Sequence, residues 1–207
     1  MESPPHKRNV VRHEDRISVL PDELLLGILE RLDLCEAVRA GALSTRWRHL
    51  PHRLSRVYLN ICHFRHNTQL ERMDAFTSAL RSLLAKRECD CRAIKTFHLR
   101  FLLSTPHLSS IGSAIENLVS LDEVKCLELV ICSTQFKNPT TSLLAEFGHQ
   151  LMSFTRAYPV ASHFATFRQV TLLQLSCFAF RPSEVSDLIN ACDELQYLSL
   201  KVCTLAG

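Results

Sequence analysis

A short apolar cadence recurs five times along the chain after residue 53. Leu54-x-x-Val57-x-Leu59-x-x-Cys62 returns as Ile94-x-x-Phe97-x-Leu99-x-x-Leu102 and as Val124-x-x-Leu127-x-Leu129-x-x-Cys132. It returns again as Val170-x-x-Leu173-x-Leu175-x-x-Phe178 and Leu195-x-x-Leu198-x-Leu200-x-x-Cys203. Within each copy, apolar and polar positions alternate as in a short strand. Between copies the period becomes helical. Leu70, Met73, Phe76, Leu80, Leu83 and Leu84 form one stripe, and Ile111, Ile115, Leu118 and Leu121 a second. Leu144, Phe147, Leu151 and Phe154 form a third, and Pro182 opens a fourth with Val185, Leu188, Ile189 and Cys192. Strand and helix alternating through right-handed crossovers build a parallel sheet with helices outside it. The expected fold class is therefore mixed α/β.

The cadence is the L-x-x-L-x-L-x-x-N/C core of a leucine-rich repeat. Its copies start at residues 54, 94, 124, 170 and 195. These intervals are less even than the roughly 20–29 residues of an ordinary repeat. Residues 56–207 thus read as a short, irregular repeat region whose wide intervals hold longer helices. Stacked repeats curve into a solenoid with a concave strand face for binding. The candidates on that face are Tyr58, Asn60, His98, Arg100, Glu128, Gln174, Ser176, Ser199 and Lys201. They carry both signs of charge and do not name a ligand. The last copy runs to Ala206-Gly207 without a following helix or polar cap. A solenoid core needs such a cap, so the repeat region is expected to be incomplete at its C-terminal end.

Residues 15–55 are spaced as helices. Pro21 suits the first position of a helix, with Asp22 and Glu23 in its first turn. Leu24, Leu25, Ile28, Leu29 and Leu32 follow at helical spacing. Asp33 with Glu36 starts a second helix as a capping box, followed by Ala37, Val38, Ala40 and Leu43. Ser44 or Thr45 caps a third, which carries Trp47 and Leu50 and is expected to end at Pro51. Three short helices in about 40 residues bury little alone. Some of the leucines must therefore meet a second surface.

The run Leu20-Pro21-Asp22-Glu23-Leu24-Leu25-Leu26-Gly27-Ile28-Leu29, with Leu43-Ser44-Thr45-Arg46-Trp47-Arg48 downstream, resembles an F-box. The form D-R-I-S-x-L-P-D-E-L followed by A-V-R and L-S-x-R-W-R is similar to plant F-box/leucine-rich-repeat proteins, many of which also carry an FBD region. One departure is Pro51, where many relatives have Trp. The resemblance implies that residues 15–55 dock on a Skp-type adaptor, and through it on a cullin and a RING subunit of a ubiquitin ligase. It assigns Leu20, Pro21, Leu24, Leu25, Ile28 and Leu29 to the adaptor contact, together with Val38, Leu43 and Trp47. The repeats would hold a protein substrate. The chain would then not be an enzyme: other subunits would transfer ubiquitin, and this one would contribute proximity. The alternative is an adaptor-binding or scaffold repeat protein that presents no substrate.

Other chemistry finds little support. The chain has 5 glycines and no Gly-rich phosphate loop. Its 9 cysteines include no C-x-x-C pair, and the closest two are Cys89-x-Cys91. Cys62, Cys132 and Cys203 occupy the cysteine position of the repeat core. Cys35, Cys126, Cys177 and Cys192 sit in apolar patterns and read as small core residues. His49-x-x-His52 and His63-x-x-His66 have no nearby cysteine to complete a metal set. No metal and no cofactor are expected. Arg46, Arg48, Arg53 and Arg56, with His49 and His52, are offset by Asp22, Glu23, Glu30, Asp33 and Glu36, which reads as a solvated face. A formal charge of +3 is too small to argue for nucleic acid. Residues 1–14 are polar and Pro-interrupted, a disordered tail with no apolar leader. No run approaches the roughly 18 apolar residues of a membrane span. The expectation is a soluble protein of the nucleus or cytoplasm with reduced thiols.

Overall fold

The computed structural model describes residue 17 and residues 19–85, 93–120, 124–133, 141–156 and 167–205. The expected tail over 1–14, Cys89, Cys91, Leu121, Ala206, Gly207 and the side chain of Phe154 lie outside the described residues.

Helix α1 (Asp22–Leu29) begins one residue after Pro21. Pro21 has ψ 151° and is the N-cap, its carbonyl accepting the amides of Leu24 and Leu25. Helix α2 (Leu34–Gly41) starts where Asp33 accepts the Glu36 amide at 3.0 Å, as the Asp33/Glu36 spacing predicts. The third helix differs from expectation. Trp47–Arg53 is a 3-10 helix that continues through Pro51. The fixed φ of proline suits this tighter helix. Ser44 leads into it, its hydroxyl accepting the Arg46 amide at 3.3 Å. Leu25, Leu26, Leu29, Leu34, Ala37, Trp47 and Leu50 are buried in a core continuous with that of the sheet.

In chain order there follow β1 (Arg56–Asn60), α3 (Gln69–Ala85), β2 (Ile94–Leu102), α4 (Thr105–Ser120), β3 (Val124–Cys132), α5 (Thr141–Arg156), β4 (Val170–Ser176), β5 (Ala179–Phe180), α6 (Pro182–Asn190), β6 (Tyr197–Lys201) and β7 (Thr204–Leu205). The five longer strands form one parallel sheet in the order β1-β2-β3-β4-β6. Each lies within one of the five cadence copies, and the four long helices take up the helical stripes between them. A parallel pair needs such a crossover, since no tight hairpin can join it. Helix α3 opens with a reciprocal capping box: the Thr68 hydroxyl accepts the Glu71 amide, and the Glu71 carboxylate accepts the Thr68 amide.

Alternation sorts the two faces of the sheet. Leu59, Leu99, Leu129, Leu173 and Leu198 stand in one row across five strands. Phe101, Ile131, Leu175 and Leu200 form the next. These rows face the helices, with Phe76 of α3 lying 6.2 Å from Phe101, ring to ring. Along the second row Phe101, Ile131 and Leu175 are fully buried, whereas Leu200 on the edge strand is 42% exposed.

A second, two-stranded parallel ladder of β5 and β7 was not legible from the pattern. It forms because Cys177 (φ 65°) and Val202 (φ 53°) turn the chain at the ends of β4 and β6. The two corners stack: the Cys177 amide donates to the Lys201 carbonyl, and the Thr204 amide to the Phe178 carbonyl, each at 3.0 Å.

The cysteines divide by burial. Cys132 and Cys192 are buried, which pushes both thiols up, that of Cys192 to about 11. Cys35 and Cys203 are half-buried and burial raises theirs too. Cys62, which the cadence assigns to its cysteine position, is not a core residue. It lies exposed in a 3-10 turn (Ile61–His63), because β1 ends at Asn60 and the Asn60 side chain accepts the Cys62 amide at 2.9 Å. Cys126 and Cys177 are likewise half-exposed rather than core residues: Cys126 stands opposite Thr96 on the face away from the helices, and Cys177 occupies a chain corner.

Candidate partner-binding surfaces

The first surface is on the helical module. Side chains one turn apart share a helix face, so α1 offers two apolar pairs, Leu24 with Ile28 and Leu25 with Leu29. The fold buries the second pair, each residue at 1% exposure, and leaves Leu24 at 56% and Ile28 at 44%. Val38 and Leu43 are exposed, Pro21 is exposed and Leu20 is half-buried. Leu25, Leu29 and Trp47 therefore belong to the core of the module, in contrast to the expected surface role. The buried pair belongs to the same core cluster as Leu34, Ala37 and Leu50. The Trp47 Nε1 is buried without a hydrogen-bond partner among the described residues. Ile17 and Val19, not among the expected contacts, are also exposed.

Ion pairs tie the start of α1 to the 3-10 helix. Asp22 at the start of α1 accepts from Arg46 Nε and Nη2 at 3.0 and 2.7 Å, and from Arg53 Nη1 at 3.2 Å. The hydrogen-bonded Arg46 guanidinium holds the Asp22 carboxyl below its ordinary value. Two of the arginines in the basic stretch are thus tied to the module itself.

The second surface is the sheet face opposite the helices. Register places Tyr58, His98, Glu128, Leu172 and Tyr197 in one row across the five strands. The rings of Tyr58 and His98 lie 4.4 Å apart, and His98 Nδ1 meets Glu128 Oε2 at 2.8 Å. Asn60, Arg100, Val130, Gln174 and Ser199 form the adjoining row, and Ser176 and Lys201 stand opposite each other beyond it. The fold therefore brings the expected face residues onto one side of one sheet. Asn60 is the exception in exposure. It is buried, donates to the Tyr58 hydroxyl at 3.1 Å and shapes the turn after β1.

A hydrogen-bonded trio centred on buried His107 lies elsewhere. His107 bridges Ser104 Oγ (2.9 Å from Nδ1) and Asp74 Oδ1 (2.8 Å from Nε2). It ties the start of α4 to α3. Among the described residues no group of three His, Cys, Asp or Glu side chains could hold a metal. No described helix is long and apolar enough to cross a membrane.

With this geometry in place, residues 17–57 match the F-box domain. The match begins at exposed Ile17 and ends in β1 at Val57, so it takes in the whole helical module. Two proteins of Arabidopsis thaliana are similar over short segments. An F-box protein is 41% identical over 51 residues, 25% of this chain. An F-box/FBD/LRR-repeat protein is 62% identical over 37 residues, 18% of this chain. These matched segments span only 10% and 8% of the relatives' own lengths.

Proposed function

We propose that this chain is the substrate-recognition subunit of a Skp–cullin–F-box ubiquitin ligase. Its F-box docks on a Skp-type adaptor, which connects it to a cullin and a RING subunit. Residues 56–207 act as a short, irregular leucine-rich-repeat solenoid that holds a protein substrate. The chain is an adaptor rather than an enzyme and works in the nucleus or cytoplasm. The observation that carries this reading is the F-box match over 17–57 on a module that leaves Leu24, Ile28, Val38 and Leu43 exposed. An amphipathic helix with one apolar face spent on its own core and another left over is suited to a partner's apolar groove.

Co-expression with a Skp-type adaptor tests it. The full chain is expected to co-purify with the adaptor. Leu24→Asp with Ile28→Asp is expected to abolish co-purification while the circular-dichroism spectrum stays native. Adaptor binding that survives the double substitution, or a chain that never captures the adaptor, overturns the proposal.

A further inference from the structure

We infer that the sheet face opposite the helices takes an extended acidic peptide. This deepens the reading of residues 56–207 as the part that holds a substrate, and it rests on that reading. Three cations share this face by strand parity: Arg56 at the β1 edge, Arg100 on β2 and Lys201 on β6. Among the described residues none of the three has a carboxylate within ion-pairing distance. Other arginines do find one: Arg46 and Arg53 pair with Asp22, and Arg168 with Asp193. The carboxylate this face does carry, Glu128, is engaged by His98. Arg100 is half-buried against the Cys132 thiol, so its charge is less screened than one in open water. The face therefore carries three cations without an ion-pair partner among the described residues against one carboxylate, a net positive balance.

Its apolar components define how a peptide would lie. Tyr58 packs on His98 at one side, and Tyr197, 56% exposed, closes the same row at the other, with Leu172 between. Five strands at the usual spacing span about 19 Å, the reach of about six extended residues. A segment crossing the strands can set aromatic or aliphatic side chains on Tyr58, Leu172 and Tyr197 while its carboxylates meet Arg100 and Lys201. A basic segment would face the same cations unfavourably.

The probes are three fluorescent ligands of similar length: a peptide of alternating Glu and Tyr, its Lys/Tyr counterpart and a single-stranded oligonucleotide. Anisotropy is read on the full chain, with the adaptor if the complex forms and alone if it does not. The Glu/Tyr peptide is expected to bind and the Lys/Tyr peptide not to. Arg100→Gln with Lys201→Gln is expected to weaken the Glu/Tyr peptide at least about tenfold. Arg48→Gln, exposed on the helical module, is expected to change nothing. Should the double variant lose its native circular dichroism, Lys201→Gln alone, at an exposed site, is expected to weaken binding about threefold. The inference is overturned if the Glu/Tyr peptide does not bind, if the Lys/Tyr peptide or the oligonucleotide binds as well, or if Arg48→Gln weakens binding as much as the double variant. Adaptor capture is scored separately. Capture without peptide binding removes this inference alone, and peptide binding without capture removes the ligase assignment alone.

Discussion

Glu30 accepts two hydrogen bonds from Ser55, from its amide at 3.0 Å and from its hydroxyl at 2.5 Å. The Ser55 carbonyl in turn accepts the amides of Lys95 at 2.7 Å and Thr96 at 3.2 Å. One buried serine thereby couples the F-box helices to the first two strands of the sheet. Glu30 follows α1, so the end of that helix is anchored to the point where the sheet begins. This gives a physical reason for the F-box core and the sheet core to be continuous.

Removing the Glu30 acceptor leaves a buried amide and hydroxyl without partners. Glu30→Ala is expected to cost about 1.5–3 kcal/mol, the range for hydrogen bonds to a charged group. Glu30→Gln keeps an acceptor and is expected to lose less. Urea unfolding midpoints at fixed slope give the comparison. Equal stability of the alanine variant and the native chain would contradict the coupling.

Gly148 on α5 lies against the Ala179 carbonyl of β5, and a Cβ placed there overlaps that oxygen. The obstacle is backbone, which cannot rotate aside. Gly148→Ala would raise intrinsic helix propensity, yet it is expected to destabilise the chain by about 1–3 kcal/mol through overpacking. Thermal unfolding decides the sign, and a stabilised variant would mean that α5 and β5 are not in close contact.

Val202 is 72% exposed and holds φ 53°. A β-branched residue is unsuited to this left-handed conformation, which Asn adopts more readily. Val202→Asn is expected to stabilise the corner after β6 by about 1 kcal/mol, or a few degrees in melting temperature. Little packing is lost because the side chain is in solvent. A drop in melting temperature would argue against the left-handed corner.

How much was legible depended on whether one residue's neighbours in sequence were also its neighbours in space. The long strands were readable because Leu173-x-Leu175 and its counterparts alternate within one element. The capping of α2 was readable because Asp33 and Glu36 meet locally. The choice between Leu24/Ile28 and Leu25/Leu29 was not, since both pairs have identical spacing and only the tertiary core, which takes in Leu25 and Leu29, separates them. The two-residue strands β5 and β7 are too short to carry a period, and they exist through the corners at Cys177 and Val202. The His98–Glu128 contact joins residues 30 apart and needs the register of two strands.

Acid is expected to loosen the start of α1. The Asp22 carboxyl is held below its ordinary value of 3.8, chiefly by its hydrogen bond from Arg46. A carboxylate depressed in the folded state contributes stability above its unfolded pKa, and that contribution disappears as pH falls through the lowered folded value. The window therefore lies below about pH 4. In the native chain the melting temperature is expected to fall as this window is entered. Asp22→Asn, which removes the titrating group and weakens the hold on Arg46 and Arg53, is expected to start lower near neutral pH and to fall less on acidification. The difference between the two curves isolates Asp22 from other carboxylates, which titrate in both proteins. Parallel curves over the acid range would show that the Asp22–Arg46 pair does not anchor the start of α1 to the 3-10 helix.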